Sequence, residues 1–272
     1  MIDTHAHLDG PEFNDDRAAM MQRAKEAGVS KVFIPAIDLP SVQTVVEICR
    51  QFEGFAYPMI GLHPEEVKAD YPAVLAEMRR LLDANLPSAG KCDEVPPRQQ
   101  PPFIAIGEVG LDYYWSREFE QEQLAAFEEQ VRWSIETRLP LMIHCRKAQN
   151  EMVNLLKRYK DDLPGGVFHC FTGNEREAEE LLQFPRFVLG IGGVLTFKKS
   201  HLPETLPAVV PLERIVLETD SPYMAPVPMR GKRNESSYVR FVLQRLAECY
   251  QTTEEHISAV TDVNVERIFS LL

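Results

Sequence analysis

The chain has 272 residues, 44% hydrophobic and 26% charged, a balance that excludes a disordered or fibrous protein and suits two small domains or one barrel of about 250 residues. Its 41 acidic against 29 basic residues give a formal net charge of -12, so no global basic field exists to hold a nucleic-acid backbone and any phosphate contact must be local. The five cysteines are widely spaced without a CxxC pair, no apolar run reaches the roughly 18 residues of a membrane span, and the start lacks a basic-then-apolar leader; together these point to a cytoplasmic protein outside the membrane.

Short apolar runs alternate with amphipathic stretches from one end to the other, the pattern of parallel strands with covering helices. Met1–His7 predicts a first strand, and Asp15–Ala27 a helix closed by Gly28. Lys31–Ile37, the helix Ser41–Phe52, the strand Ala56–His63 and the helix Ala73–Asp83 follow. Leu86–Pro102 then breaks the rhythm: Pro87, Pro96, Pro97, Pro101 and Pro102 exclude a regular element, and the segment reads as an inserted loop. The alternation resumes with Phe103–Val109, the helix Phe119–Arg138 ended by Pro140, Leu141–His144, and the helix Lys147–Tyr159. Next come Gly166–Cys170, the helix Glu175–Gln183, Phe187–Ile191, a weak helical pattern near Pro203–Val209, Arg214–Asp220 and the helix Ser236–Tyr250. Two closing helices are predicted at Glu254–Ala259 and Val263–Leu271. Eight strands alternating with helices predict an α/β protein, a single (β/α)8 TIM barrel over residues 1–272 with a Pro-rich inserted loop at 86–102.

Nearly every histidine falls at the C-terminal end of a predicted strand, where barrel enzymes mount catalytic groups. His5 and His7 are two apart on a strand, so both imidazoles leave one face and can converge on one ion; a pair of surface histidines near the terminus is the alternative. Glu108 sits in an otherwise apolar run, which is costly for a carboxylate unless it faces a charge, either a metal or a core arginine. His144, His169 and Asp220 each end an apolar run, and with the others they make six donors of imidazole and carboxylate type. Such donors suit Zn, Mn, Fe or Mg, and Cys145 and Cys170 are expected to point away from them. Two divalent ions (Mg, Mn or Zn) bridged by Glu108 about 3.5–4 Å apart would activate a water for hydrolysis, with Asp220 orienting or deprotonating it. His63 ends another strand; it either contacts substrate and moves a proton or is a turn histidine stacked on Pro64. Arg146 suits a phosphate contact, whereas Arg230, Lys232 and Arg233 read equally as a phosphate site or a solvated loop. Glu218 and Asp112 read as groups that orient the metal-binding histidines.

The ordered motifs Asp3-Thr-His-Ala-His-Leu-Asp9, Gly61-Leu-His-Pro64, Ile106-Gly-Glu-Val-Gly-Leu-Asp112, His144-Cys-Arg146, His169-Cys-Phe-Thr-Gly173 and Glu218-Thr-Asp-Ser-Pro222 run across nearly the whole chain. Together they resemble the TatD family of metal-dependent deoxyribonucleases within the amidohydrolase superfamily. The resemblance implies that His5, His7, Glu108, His144, His169 and Asp220 are ligands of a dinuclear centre, that His63 lies on the substrate side, and that DNA is cleaved by exonuclease action or by endonuclease action at damaged sites; the acidic net charge adds the expectation that DNA is held at an end or as a short single-stranded segment. Three departures stand out: Asn234-Glu-Ser236 replaces the family's Asn-Glu-Pro, Lys147 stands where many members have an acid, and the 86–102 loop is long. A hydrolase of a small amide, lactone or phosphate ester and a non-catalytic scaffold barrel are the rival readings, and no obligate protein partner is called for.

Overall fold

The computed structural model describes residues 1–86 and 101–269. Eight strands alternate with helices: β1 (Ile2–Asp3), α1 (Arg17–Glu26), β2 (Lys31–Pro35), α2 (Leu39–Gln51), β3 (Ala56–Met59), α3 (Tyr71–Asn85), β4 (Ile106–Asp112), α4 (Glu120–Thr137), β5 (Leu141–Arg146) and α5 (Gln149–Lys157). They continue with β6 (Gly166–Phe168), α6 (Glu175–Leu182), β7 (Phe187–Ile191), α7 (Leu202–Val209), β8 (Ile215–Leu217), α8 (Val239–Cys249) and α9 (Glu254–Phe269). Each strand run read from the sequence is present, though several strands are shorter than the apolar run that announced them. Among the described residues no helix is long and apolar enough to cross a membrane. The inserted loop expected at 86–102 lies almost wholly outside the described residues.

One expectation is corrected. The two closing helices are a single one, α9, through residue 269. No glycine or proline interrupts Glu254–Phe269, and the polar side chains of Thr261, in the expected gap, and of Asn264 are both bonded. Thr261 Oγ1 donates to the carbonyl of Ile257 in the preceding turn, and Asn264 Nδ2 donates to the carbonyls of Leu212 and Ile215, 2.8 Å each. The weak pattern near 203–209 is a true helix, with Pro203 in its first turn and Pro207 inside it.

The chain forms two compact units, one of Met1–Ile34 with Gly165–Leu272, the other of Pro35–Pro164. In the first unit β6, β7 and β8 pair in parallel, Phe168 beside Leu189 and Ile191 beside Leu217. The Thr4 amide donates to the Leu217 carbonyl at 3.0 Å, which sets β1 beside β8, and β1 pairs with β2 through Ile2–Lys31 and Asp3–Val32. These strands are buried on both faces, hence their continuous apolar sequence. At the other end of α1, Arg233 grips Asp16 bidentately at 2.7 and 2.8 Å, while Arg23 bonds Asp16 and Glu235. Arg233, equally readable as a phosphate ligand from sequence, is thus committed to an internal ion pair.

In the second unit β4 pairs with β5, and the Ile60–Ile106 bridge places the end of β3 beside β4. The β4–β5 register shifts between Ile106 and Val109, the stretch that carries Glu108. At Gly110 the two strands approach so closely that a Cβ would stand 1.9 Å from the His144 carbonyl, and Gly110 has φ +145°. Helix α4 covers β4 and sends two buried glutamines, seven residues apart on one face, to the strand ends. Gln130 exchanges hydrogen bonds with the amide and carbonyl of Leu62, and Gln123 does the same with Asp112.

Two outcomes are expected. Gly110→Ala should destabilise the protein by about 3 kcal/mol or prevent folding, because both the φ and the contact resist a side chain; urea unfolding would measure it, and a wild-type midpoint would refute the packing account. Arg233, then Arg23, hold the Asp16 carboxyl far below its usual range. A depressed carboxylate stabilises the fold above its unfolded value near 3.9 and loses that contribution as pH falls through the folded value. Asp16→Asn should therefore melt below wild type at pH 7, with the gap narrowing below about pH 4.

Candidate metal centre

In the first unit the segment after β1 leaves the sheet with His5 and His7 side by side. The His7 amide donates to Ser221 O at 2.7 Å and Asp220 N to His5 O at 2.9 Å, so the two strand ends hold each other. The His5 and His7 Nε2 atoms converge to 3.2 Å, and both face Asp220 Oδ1, at 3.9 and 3.6 Å. His5, fully buried, stacks on His169 with ring centroids 3.7 Å apart. One donor atom each of His5, His169 and Asp220 fall within 4.8 Å of one another.

Two polar residues position Asp220, itself in left-handed backbone with φ 57°. Asp3, completely buried, accepts from the Thr219 amide at 2.9 Å and the Thr219 hydroxyl at 2.7 Å. Burial pushes the Asp3 carboxyl up to about 7 against the pull of its Ser236 and Thr219 hydrogen bonds. From the other side Asn234 Nδ2 donates to the carbonyls of Thr219 and Tyr223 at 2.8 and 2.6 Å. Sequence reasoning noticed Asn234-Glu-Ser236 only as a departure from a family pattern, yet Asn234 is a clamp on the Asp220 turn, and Glu235 is anchored by Arg23.

The second unit assembles His63, Glu108 and His144. Glu108 Oε1 lies 3.0 Å from His144 Nδ1 and 3.4 Å from His63 Nε2. His63 Nδ1 accepts from the Glu65 amide at 3.2 Å, capping the turn Pro64–Glu66, which aims Nε2 at Glu108. His63 is therefore both a turn histidine and a member of a donor cluster, a role the six-donor reading of the sequence did not give it.

Behind two of the histidines stands a second buried acid. Asp112 Oδ2 is 2.9 Å from His144 Nε2, and Glu218 Oε1 is 3.1 Å from His169 Nδ1. Burial would raise the Asp112 carboxyl, but hydrogen bonds from His144 and the Tyr114 amide outweigh it and hold the group below its usual range. Asp112 is thus hydrogen-bonded to His144 as an orienting group would be, and Glu218 is placed beside His169 Nδ1. Cys170 departs from expectation. Its left-handed backbone (φ 49°) keeps it by the cluster, where its sulfur lies within 4.8 Å of a donor atom of His169 and of Glu218.

Imidazoles and buried carboxylates, with acids of their own behind them, are the donor chemistry of a divalent cation, so the residues present fit a metal. The chain matches the model of the family described as TatD related DNase over residues 2–270. The chain belongs to the TatD related DNase family. It is 34% identical over 271 residues to a Bacillus subtilis (strain 168) protein named uncharacterized metal-dependent hydrolase YabD, covering 100% of this chain and 99% of that one. It is 31% identical over 276 residues to the protein named 3'-5' ssDNA/RNA exonuclease TatD of Klebsiella pneumoniae (strain 342), covering 100% and 98%. Among solved structures, the TatD homologue YJJV of Escherichia coli K12 superposes with a TM-score of 0.87 at 28% identity, over 100% of this chain and 98% of that chain. A TIM-barrel protein of Bordetella bronchiseptica, 10% identical, shares the fold alone, with a TM-score of 0.62 over 99% of this chain and 98% of that chain. The fold class is thus the α/β barrel type expected from the sequence, in a TatD family member.

Removing the acid behind His144 tests its orienting role. Asp112→Ala should weaken divalent-metal binding about 10–100-fold in competition with a chromophoric chelator; unchanged affinity would show that Asp112 does not serve a metal-binding histidine.

Proposed function

We propose that this TatD family protein is a metal-dependent nuclease that hydrolyses phosphodiester bonds of DNA at ends or in short single-stranded segments. The observation that carries the reading is the pair of partly buried imidazole–carboxylate clusters, His5–His169–Asp220 in one unit and His63–Glu108–His144 in the other. His5, His7, His169 and Asp220 of the first unit and Glu108 and His144 of the second would hold two divalent ions, Mg, Mn or Zn, with His63 left to the substrate. Such ions supply Lewis-acid stabilisation of phosphoryl oxygens and lower the pKa of water.

The chain's own groups supply positioning and proton handling. Asp220, fixed through Thr219 by Asp3 and through the Thr219 and Tyr223 carbonyls by Asn234, orients the attacking water and accepts its proton. The new bond forms between the water oxygen and phosphorus while the ester P–O bond breaks. His63, with Nε2 inward, hydrogen-bonds the substrate and moves a proton to the departing oxygen. Arg146, exposed at the end of β5, binds a phosphate beside the one cleaved. With a net charge of -12, binding by the length of a duplex is disfavoured, which suits an end or a short segment. The names of the relatives, a metal-dependent hydrolase and a 3'-5' ssDNA/RNA exonuclease, support this assignment.

The test is cleavage of a labelled single-stranded oligonucleotide by metal-stripped protein to which Mg, Mn or Zn is restored, with Glu108→Ala as control. Cleavage that needs metal and falls at least about 100-fold in the variant is expected. Protein that rebinds metal yet leaves the oligonucleotide intact would overturn the reading.

A further inference from the structure

Two large aromatic side chains stand in solvent directly after β4. Tyr114 is 50% exposed and Trp115 65%, whereas the chain's other tryptophan, Trp133, is buried with its indole N–H bonded to Glu129. The two exposed rings meet edge to face at 4.9 Å. Arg146 packs into their corner, its guanidinium 3.7 Å from the Tyr114 centroid and 5.2 Å from that of Trp115. Among the described residues no carboxylate lies within ion-pair distance of Arg146.

This corner is tied to the donor cluster by covalent and hydrogen-bonded links. Asp112, whose one oxygen orients His144, accepts the Tyr114 amide on the other at 2.8 Å, which turns the chain and fixes where the two rings begin. Arg146 is two residues from His144 on β5, so both side chains leave the same face, and the strand register sets Asp112 beside Arg146. A cation without an acid partner, next to exposed aromatic faces in an acidic protein, matches a phosphate joined to a planar base. A guanidinium stacked on a ring keeps its N–H edge open to bond phosphate.

We propose that Tyr114, Trp115 and Arg146 form a stacking clamp for single-stranded nucleic acid: one base lies on Trp115, and Arg146 bonds the adjoining phosphate. The proposal rests on the nuclease reading and adds a residue-level basis for choosing unpaired strands, since a base inside a duplex is stacked on both faces and cannot offer one to Trp115. Trp115 and Tyr114 are substrate-positioning residues with no part in the bond-making step.

The test uses metal-loaded protein, a phosphorothioate oligothymidylate, and an abasic phosphorothioate strand of equal length. Oligothymidylate should quench the tryptophan emission, the abasic strand should not, and the signal should survive in Trp133→Phe and vanish in Trp115→Phe. In cleavage of ordinary oligothymidylate, Trp115→Ala should raise KM about tenfold with kcat changed less than about threefold, while Trp115→Phe stays near wild type. Wild-type KM in Trp115→Ala, equal quenching by the abasic strand, or a changed oligomeric state in Trp115→Ala, the mark of a protein interface, would each overturn the clamp. If wild type cut DNA and Trp115→Ala cut it equally well, the clamp alone would fall; if wild type neither bound nor cut DNA, the nuclease reading would fall with it.

Discussion

A buried carboxylate behind a histidine is the interaction on which the rest of the site depends. An imidazole fixed through one nitrogen presents the other in a set tautomer and direction. Asp112 does this for His144, while Glu218 stands 3.1 Å from His169 Nδ1, and neither acid is solvent-exposed. A buried acid is itself costly without donors, so each recruits the backbone: the Tyr114 amide for Asp112, and the Cys170 amide, at 2.6 Å, for Glu218. The strand-end turns are therefore shaped by the same acids that stand beside the histidines.

The surrounding fold supplies room and rigidity for these contacts. Gly190 in β7 leaves the space that Glu218 occupies, since a Cβ there would stand 2.1 Å from its Oε2. Gly110 likewise lets β4 close on β5 beside His144. Gln123 and Gln130 brace Asp112 and Leu62 from α4, so the residues next to His63 and behind His144 are held by one helix face. Binding chemistry thus sits at strand ends whose backbone groups are already paired, an arrangement that orders donors before any ligand arrives.

Charge is distributed to match. The chain is strongly acidic overall, yet two of the cations read from sequence as phosphate ligands differ in what they can do. Arg233 is neutralised by Asp16 and holds α1 to the segment before α8, whereas Arg146 keeps its charge over two aromatic faces. Residue type alone could not separate them, because pairing is decided by which acid the fold brings near.

Much of the architecture was legible in the sequence, because apolar runs and helical periodicity are local properties set by burial on two faces or one. The strand ends carrying His5, His144, His169 and Asp220 were legible for the same reason: a polar group terminating an apolar run marks where a buried strand emerges. The closing helix runs on through the gap between the two expected helices, where the Thr261 hydroxyl bonds back into the preceding turn, a contact that periodicity does not show. Only the tertiary structure decided that His63 turns toward Glu108, that Cys170 stays beside His169, that Asn234 clamps the Asp220 turn, and that Tyr114, Trp115 and Arg146 share a corner. Each of these is a contact between residues far apart in sequence or a side-chain direction set by one backbone torsion, and neither is encoded in local periodicity.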